Sequence, residues 1–257
     1  GRLNVESISK GTVTQCGDIR AELKSVRKAS KLYLTVSVEG TEWKNTWPVW
    51  VYPRIESLNV GDVLLTQDVE EALAALNQGR KVLFSPKMSY LKGLEGKFLP
   101  VFWSPVHFPR QAGTMGLLCN TQHAALRHFP TEMHSNWQWW SIVRHARPFI
   151  LNATRHEYKP LIQVVDNVER NHKLGLLFEF AVDNGKVLVC MSNLEAIRHT
   201  PEGGQLRNAI LSYMKSAEFS PTETLTSQQL QHILTTEVRK QDIVGVKNQS
   251  DYDVQPE

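Results

Sequence analysis

Apolar and polar residues alternate strictly along residues 31–39. Leu32, Leu34, Val36 and Val38 fall on one face and Tyr33, Thr35 and Ser37 on the other, before Gly40 marks a turn. A second β-rich run, 45–52, ends at Pro53, so the two runs predict an antiparallel pair joined through 41–44. Residues 4–9 and 19–23 are weaker strand candidates. Residues 1–53 therefore read as part of a β-sandwich, too short to stand alone.

Beyond Pro53 the periodicity changes. Residues 62–65 form a short apolar strand, and Asp68 with Glu71 three positions later makes a capping box ahead of Val69, Ala72, Leu73 and Leu76, with Gly79 closing the helix. The apolar run 81–84 follows, which makes a strand–helix–strand unit with parallel strands. Further strands are predicted at 98–104, 114–118 and 161–165, and a hairpin at 174–182 and 186–191 turns across Asp183, Asn184 and Gly185. A helix over 202–216 places Leu206, Ile210, Leu211 and Met214 on one face. Residues 54–218 are thus expected to form an α/β domain, an open, mainly parallel sheet with helices on both faces. Residues 219–257 read as a helix at 227–236 and a polar tail.

The segment 134–140 stands apart, with Trp137, Trp139 and Trp140 among amides. On a helix these three rings cannot share one narrow stripe, so the segment must be covered on more than one side. His134, Gln138, Ser141 and His145 would then line a polar edge. The aromatic cluster is either a core plug or a platform on which a sugar ring stacks, with Asn136 or Gln138 binding hydroxyls. Phe102, Trp103 and His107 extend either reading.

Composition narrows the field. A net charge of +3 without a basic helix argues against nucleic acid. No run approaches the length of a membrane span, no leader opens the chain, and Gly1 precedes residues of mid-strand character, so a piece of a longer protein is expected. The three cysteines, Cys16, Cys119 and Cys190, are far apart, which predicts neither a zinc site nor a disulfide framework. Cys119 and Cys190 lack the flanking glycines of a nucleophile elbow and are expected to be buried structural thiols. No metal site and no cofactor is expected.

In an open α/β sheet, ligands bind beyond the carboxyl ends of the strands. The densest polar end is Asp166, Asn167, Glu169, Arg170 and Asn171. It is either a capped turn with an ion pair or a ligand site, and a pocket there would have to join Asp166 to His134 or Gln138.

Longer motifs carry a resemblance. The runs 102–106, 113–118, 129–132 and 134–140, then Gln163-Val164-Val165-Asp166-Asn167 with Arg170-Asn171, and 174–179, resemble the C-terminal region of large bacterial, Bacteroidetes-type, family 2 glycoside hydrolases of the beta-galactosidase-like kind. The stretch 45–53, with Trp47, Trp50, Val51 and Tyr52, looks like the end of the Ig-like sandwich that precedes this region in them. The resemblance implies a flavodoxin-like domain similar to class I glutamine amidotransferases, and a periplasmic or secreted parent. It also implies that the catalytic barrel lies elsewhere, because the family's acid glutamate follows an asparagine and this chain has no Asn-Glu dipeptide. The amidotransferase triad needs a glycine-flanked cysteine and a histidine two residues before a glutamate, and neither occurs, so no catalytic residue is assigned.

Three functions follow as expectations. The first is a non-catalytic accessory domain whose partner is the rest of the parent chain. The second is a carbohydrate-binding module, and the third a residual enzyme around Asp166. The ligand-binding candidates are Trp103, His134, Asn136, Trp137, Gln138, Asp166, Asn167 and Arg170. An aromatic-rich surface also makes homo-oligomerisation an expectation.

Overall fold

A computed structural model of the chain describes residues 1–55, 58–87, 94, 114–167 and 170–235. The alternating runs near the N-terminus form β1 (Ser30–Ser37) and β2 (Lys44–Val51), paired antiparallel with Leu32 opposite Val49 and Leu34 opposite Trp47. The weaker strand candidates at 4–9 and 19–23 are irregular instead. Their apolar residues Val5, Ile8, Ile19 and Leu23 are exposed and gain no burial that would offset the entropy of ordering them as strands.

The strand–helix–strand unit forms as its pattern predicts. β3 (Val63–Thr66) runs parallel to β4 (Lys81–Phe84), and between them α1 (Val69–Asn77) buries Ala72, Leu73, Ala75 and Leu76. Asp68 caps α1 by accepting the Glu71 N–H, while the Glu71 carboxylate turns to the Thr66 hydroxyl, so only half of the capping box is made. Gly79 ends the turn in the left-handed region, at φ +78°.

The remaining strands are β5 (Thr114–Cys119), β6 (Phe149–Ile150), β7 (Ile162–Asp166), β8 (Leu174–Val182), β9 (Gly185–Cys190) and β10 (Thr224–Leu225). They join β3 and β4 in one eight-stranded sheet of order β3-β4-β9-β8-β7-β5, with β6 and β10 pairing to β8. The sheet is mixed rather than mainly parallel. β3, β4 and β9 run parallel, but β8, β7 and β5 each run antiparallel to their neighbour, because β7, β8 and β9 are joined by connections too short for a parallel crossover. The strand expected at 98–104 lies outside the described residues.

Helices cover both faces. α2 (Trp140–Arg144) follows a 3-10 turn at Trp137–Trp139, α3 spans Pro201–Lys215 and α4 spans Ser227–Thr235. Along β9, Gly185 and Val187 face α1: a Cβ at Gly185 would lie 2.7 Å from the carbonyl oxygens of Leu76 and Arg80. Lys186 and Leu188 point to the opposite face, where α3 packs. On that face α3 buries Leu206, Ile210, Leu211 and Met214. The segment set apart from residue 219 onward joins this domain through Thr235. β10 extends the sheet, and Leu230, Ile233 and Leu234 of α4 belong to the same core. Residues 236–257 lie outside the described residues.

Candidate functional site at the seam of ribbon and sheet

The tryptophan segment is not one continuous helix from His134. Asn136 caps the 3-10 turn, its side chain accepting the Trp137 N–H at 2.8 Å, and His134 precedes the cap as a bridge partner of Leu118 on β5. The three rings therefore part company. Trp139 is 0% exposed, its ring edge-on to Phe129 with centroids 5.1 Å apart and its Nε1–H donated to the Thr131 hydroxyl at 2.9 Å. Trp137 is 74% exposed, and Trp140 is half exposed with the Arg144 guanidinium 5.5 Å from its ring centre. One ring is a core plug and two look outward.

Gln138 is buried and fixed from two sides. Its amide donates to the Pro130 carbonyl at 3.0 Å and its oxygen accepts the Tyr52 hydroxyl at 2.6 Å. Trp50 donates to the same Pro130 carbonyl at 3.1 Å, and Tyr52 stacks on Phe129 with centroids 6.0 Å apart. The end of β2 and the tryptophan segment thus share one anchoring point.

Glu132 is the polar hub beside it. Its carboxylate pairs with Lys31 of β1, accepts the Asn136 amide and lies 3.4 Å from His134 Nε2. The hydrogen bond from Lys31, then that from Asn136, holds the Glu132 carboxyl below the usual range, and Glu132 in turn raises Lys31. The Lys31 ammonium also sits 5.6 Å from the Trp50 ring centre and 5.1 Å from that of Tyr33. His134 and Met133 are exposed, as Trp137 is.

The second predicted cluster lies elsewhere. Asp166 pairs with Thr114 at the start of β5, whereas His134 bridges Leu118 near its end, a separation of about 13 Å at strand rise. Gln138 turns to Tyr52 and the Pro130 carbonyl. The Asp166 carboxylate is committed locally. One oxygen accepts Arg170 Nε at 3.0 Å, Arg170 Nη2 at 2.5 Å and the Asn167 N–H at 2.9 Å, and the other accepts the His172 N–H at 3.0 Å. Asn167 accepts the Arg170 N–H at 2.9 Å, and Asn171 takes the left-handed region at φ +50°. Side chains of Asp166 and Arg170 are 1% and 5% exposed, so this is a buried ion-paired turn. Trp103, Phe102, His107 and Glu169 lie outside the described residues.

A third cluster escaped the reading of the sequence. Glu179 lies inside β8, 8% exposed, with Tyr213 of α3 donating to both carboxylate oxygens at 3.0 and 2.9 Å and His123 Nε2 at 3.9 Å. Burial pushes its carboxyl up to about 7. The signal was present, since Glu179 is the sole charged residue in Leu174–Val182. Cys119 and Cys190 are buried as expected, and burial pushes both thiols up to about 12. Among the described residues, no group of three or more His, Cys, Asp or Glu side chains is placed to hold a metal ion, and no helix is long and apolar enough to cross a membrane.

Comparison with known proteins follows the same division into ribbon and sheet. No curated protein matches the chain. A family model described as a domain of unknown function, DUF8488, matches residues 1–53, and a second, the domain of unknown function DUF8487, matches residues 64–235. The second match takes in the seam residues from Pro130 to Trp140, the Asp166 turn, Glu179 and α4, and covers more than half of the sequence: the chain belongs to the DUF8487 family.

Proposed function

We propose that the chain is a non-catalytic accessory part of a larger, exported family 2 glycoside hydrolase, a rigid unit that sits beside the catalytic barrel and supports its surroundings. In this reading the mixed sheet is a variant of the flavodoxin-like, glutamine amidotransferase-like fold, and the ribbon is the end of an Ig-like sandwich. The supporting observation is where the resembling motifs fall. Residues 45–53, 129–132 and 134–140 meet where ribbon joins sheet, through Tyr52–Gln138 and Trp50–Pro130, beside the Lys31–Glu132 pair. Assay of the purified chain against aryl galactosides and related glycosides tests the reading. No turnover is expected, and turnover that follows the purified chain would overturn it.

A second reading, a carbohydrate-binding surface, is favoured by the exposed ring of Trp137, which follows the Asn136 cap. Titration calorimetry with galactosides and plant oligosaccharides should then give heat that Trp137→Ala abolishes. Absence of heat with the wild-type chain removes this reading and leaves the first intact.

A further inference from the structure

The buried Glu179 carboxyl has few groups to hold its charge. On the α3 face of the sheet it is met by Tyr213 of α3, by His123 from the 120–126 turn and by Lys186 of β9, and the Arg127–Glu218 pair lies close by. Lys186 spends its ammonium on the Phe219 carbonyl at 2.9 Å, and Arg127 is paired bidentately with Glu218 at 2.6 and 2.7 Å. Tyr158, on the other side, donates to the Glu179 backbone carbonyl at 3.0 Å, and burial, with help from the Glu179 charge, raises its phenol pKa. His123 Nδ1 accepts the Ala125 N–H at 3.3 Å, which puts the proton of the neutral ring on Nε2, facing Glu179. Among the described residues no lysine or arginine forms an ion pair with Glu179. Among the described residues its hydrogen-bond donor is a phenol hydroxyl, with an imidazole N–H farther off and the Lys186 charge acting only from a distance.

We propose that Glu179 and Tyr213 form a proton-operated latch between β8 and α3, closed firmly when the carboxyl is protonated and loosened when it ionises. As a neutral acid Glu179 keeps its bond with Tyr213 and places no charge in the sheet. Ionised, it keeps one phenol bond but carries a desolvated charge, which opening to water relieves. What the latch secures is not local to Glu179. At its other end α3 holds Ser141 of α2 through Glu202 and the His128 carbonyl through Gln205 at 2.6 Å, so α3 links the latch to the segment bearing Trp137 and Trp140.

The sign of the pH effect follows from linkage. With the carboxyl near 7 when closed and at the ordinary 4.5 when open, the closing constant is greatest at low pH, falls roughly tenfold per unit between those values and levels off above them. His123 works the other way. Burial lowers its pKa below the ordinary 6.5, so opening gains a proton as pH falls beneath that value. His123→Gln removes this opposing contribution and isolates the carboxyl.

The test uses the full chain with carboxyl-labelled glutamate, titrated by NMR, and hydrogen exchange over residues 206–215, corrected for intrinsic rates, at about pH 5.5 and about pH 8. The expected result is one glutamate titrating near 7, missing from Glu179→Gln, with exchange protection at least roughly tenfold lower at the higher pH in His123→Gln and no such change when Glu179→Gln is added. Should Glu179→Gln not fold, Tyr213→Phe assigns the signal instead by moving it upward, since it deletes the donor to the ionised form. A wild-type chain in which every glutamate titrates in the ordinary range overturns the proposal. So does a pH dependence of α3 exchange that persists without the Glu179 carboxyl.

Discussion

The Tyr52 hydroxyl donates to Gln138 Oε1 at 2.6 Å, and this bond ties the last residues of the ribbon to the middle of the tryptophan segment. Tyr52→Phe and Gln138→Leu should each destabilise the chain, by about 1 kcal/mol for the lost hydrogen bond and more in Gln138→Leu, where the Pro130 carbonyl also loses a donor. A double-mutant cycle measured by urea denaturation should return a coupling of about 1 kcal/mol. Additive losses would mean that ribbon and sheet hold together by other contacts.

Two tryptophans two residues apart should behave as different kinds of residue. Trp139→Ala empties a filled site in the core and is expected to cost about 3–5 kcal/mol. Trp137→Ala removes a ring that faces water and should stay within about 0.5 kcal/mol of wild type. Equal losses in thermal or urea denaturation would contradict the assignment of one as plug and the other as surface.

The Asp166–Arg170 pair is predicted to matter through its breakage. Arg170→Ala strands a buried carboxylate and should cost about 3–5 kcal/mol. Arg170→Lys should recover only part of this loss, because an ammonium cannot reproduce the Nε and Nη2 contacts to Asp166. Denaturation midpoints of the two variants give the comparison.

Thiol reactivity should divide the cysteines by burial. Cys16 is exposed and should react at once with a thiol reagent in the native chain, while Cys119 and Cys190, buried and with thiols pushed up to about 12, should react only on unfolding. Rapid native labelling at either buried site would show that the core opens locally around β5 or β9.

Periodicity carried most of the secondary structure, because in the sheet and its helices it records burial, while in β1 the alternating apolar face forms a strand and stays exposed. Most of Lys31 to Glu39, within Ser30–Ser37, the Asp68 cap, the Leu206–Met214 stripe and the hairpin at Asp183 all reappear as elements. The direction of β7 and β8 was less legible: apolar runs such as Leu161 to Val165 look alike in parallel and antiparallel strands, and the short connections were the better guide. At the seam, sequence spacing placed His134, Gln138, Ser141 and His145 on one helix, but the Asn136 cap begins the turn later and sends His134 to β5. Glu179 was hidden for a related reason. A lone acid in a strand reads as a surface position until the helix that covers it is known.

The mixed sheet also sets an order of assembly. β7, β8 and β9 are neighbours in sequence as well as in space, so their antiparallel half can zip up by closing short loops. β4 must find β9 from far along the chain, pairing Lys81 with Lys186, and it can do so only once that edge exists. The Glu179 strand and its hairpin partner are therefore expected to form the early nucleus, with β3, α1 and β4 added onto it as a late-docking unit.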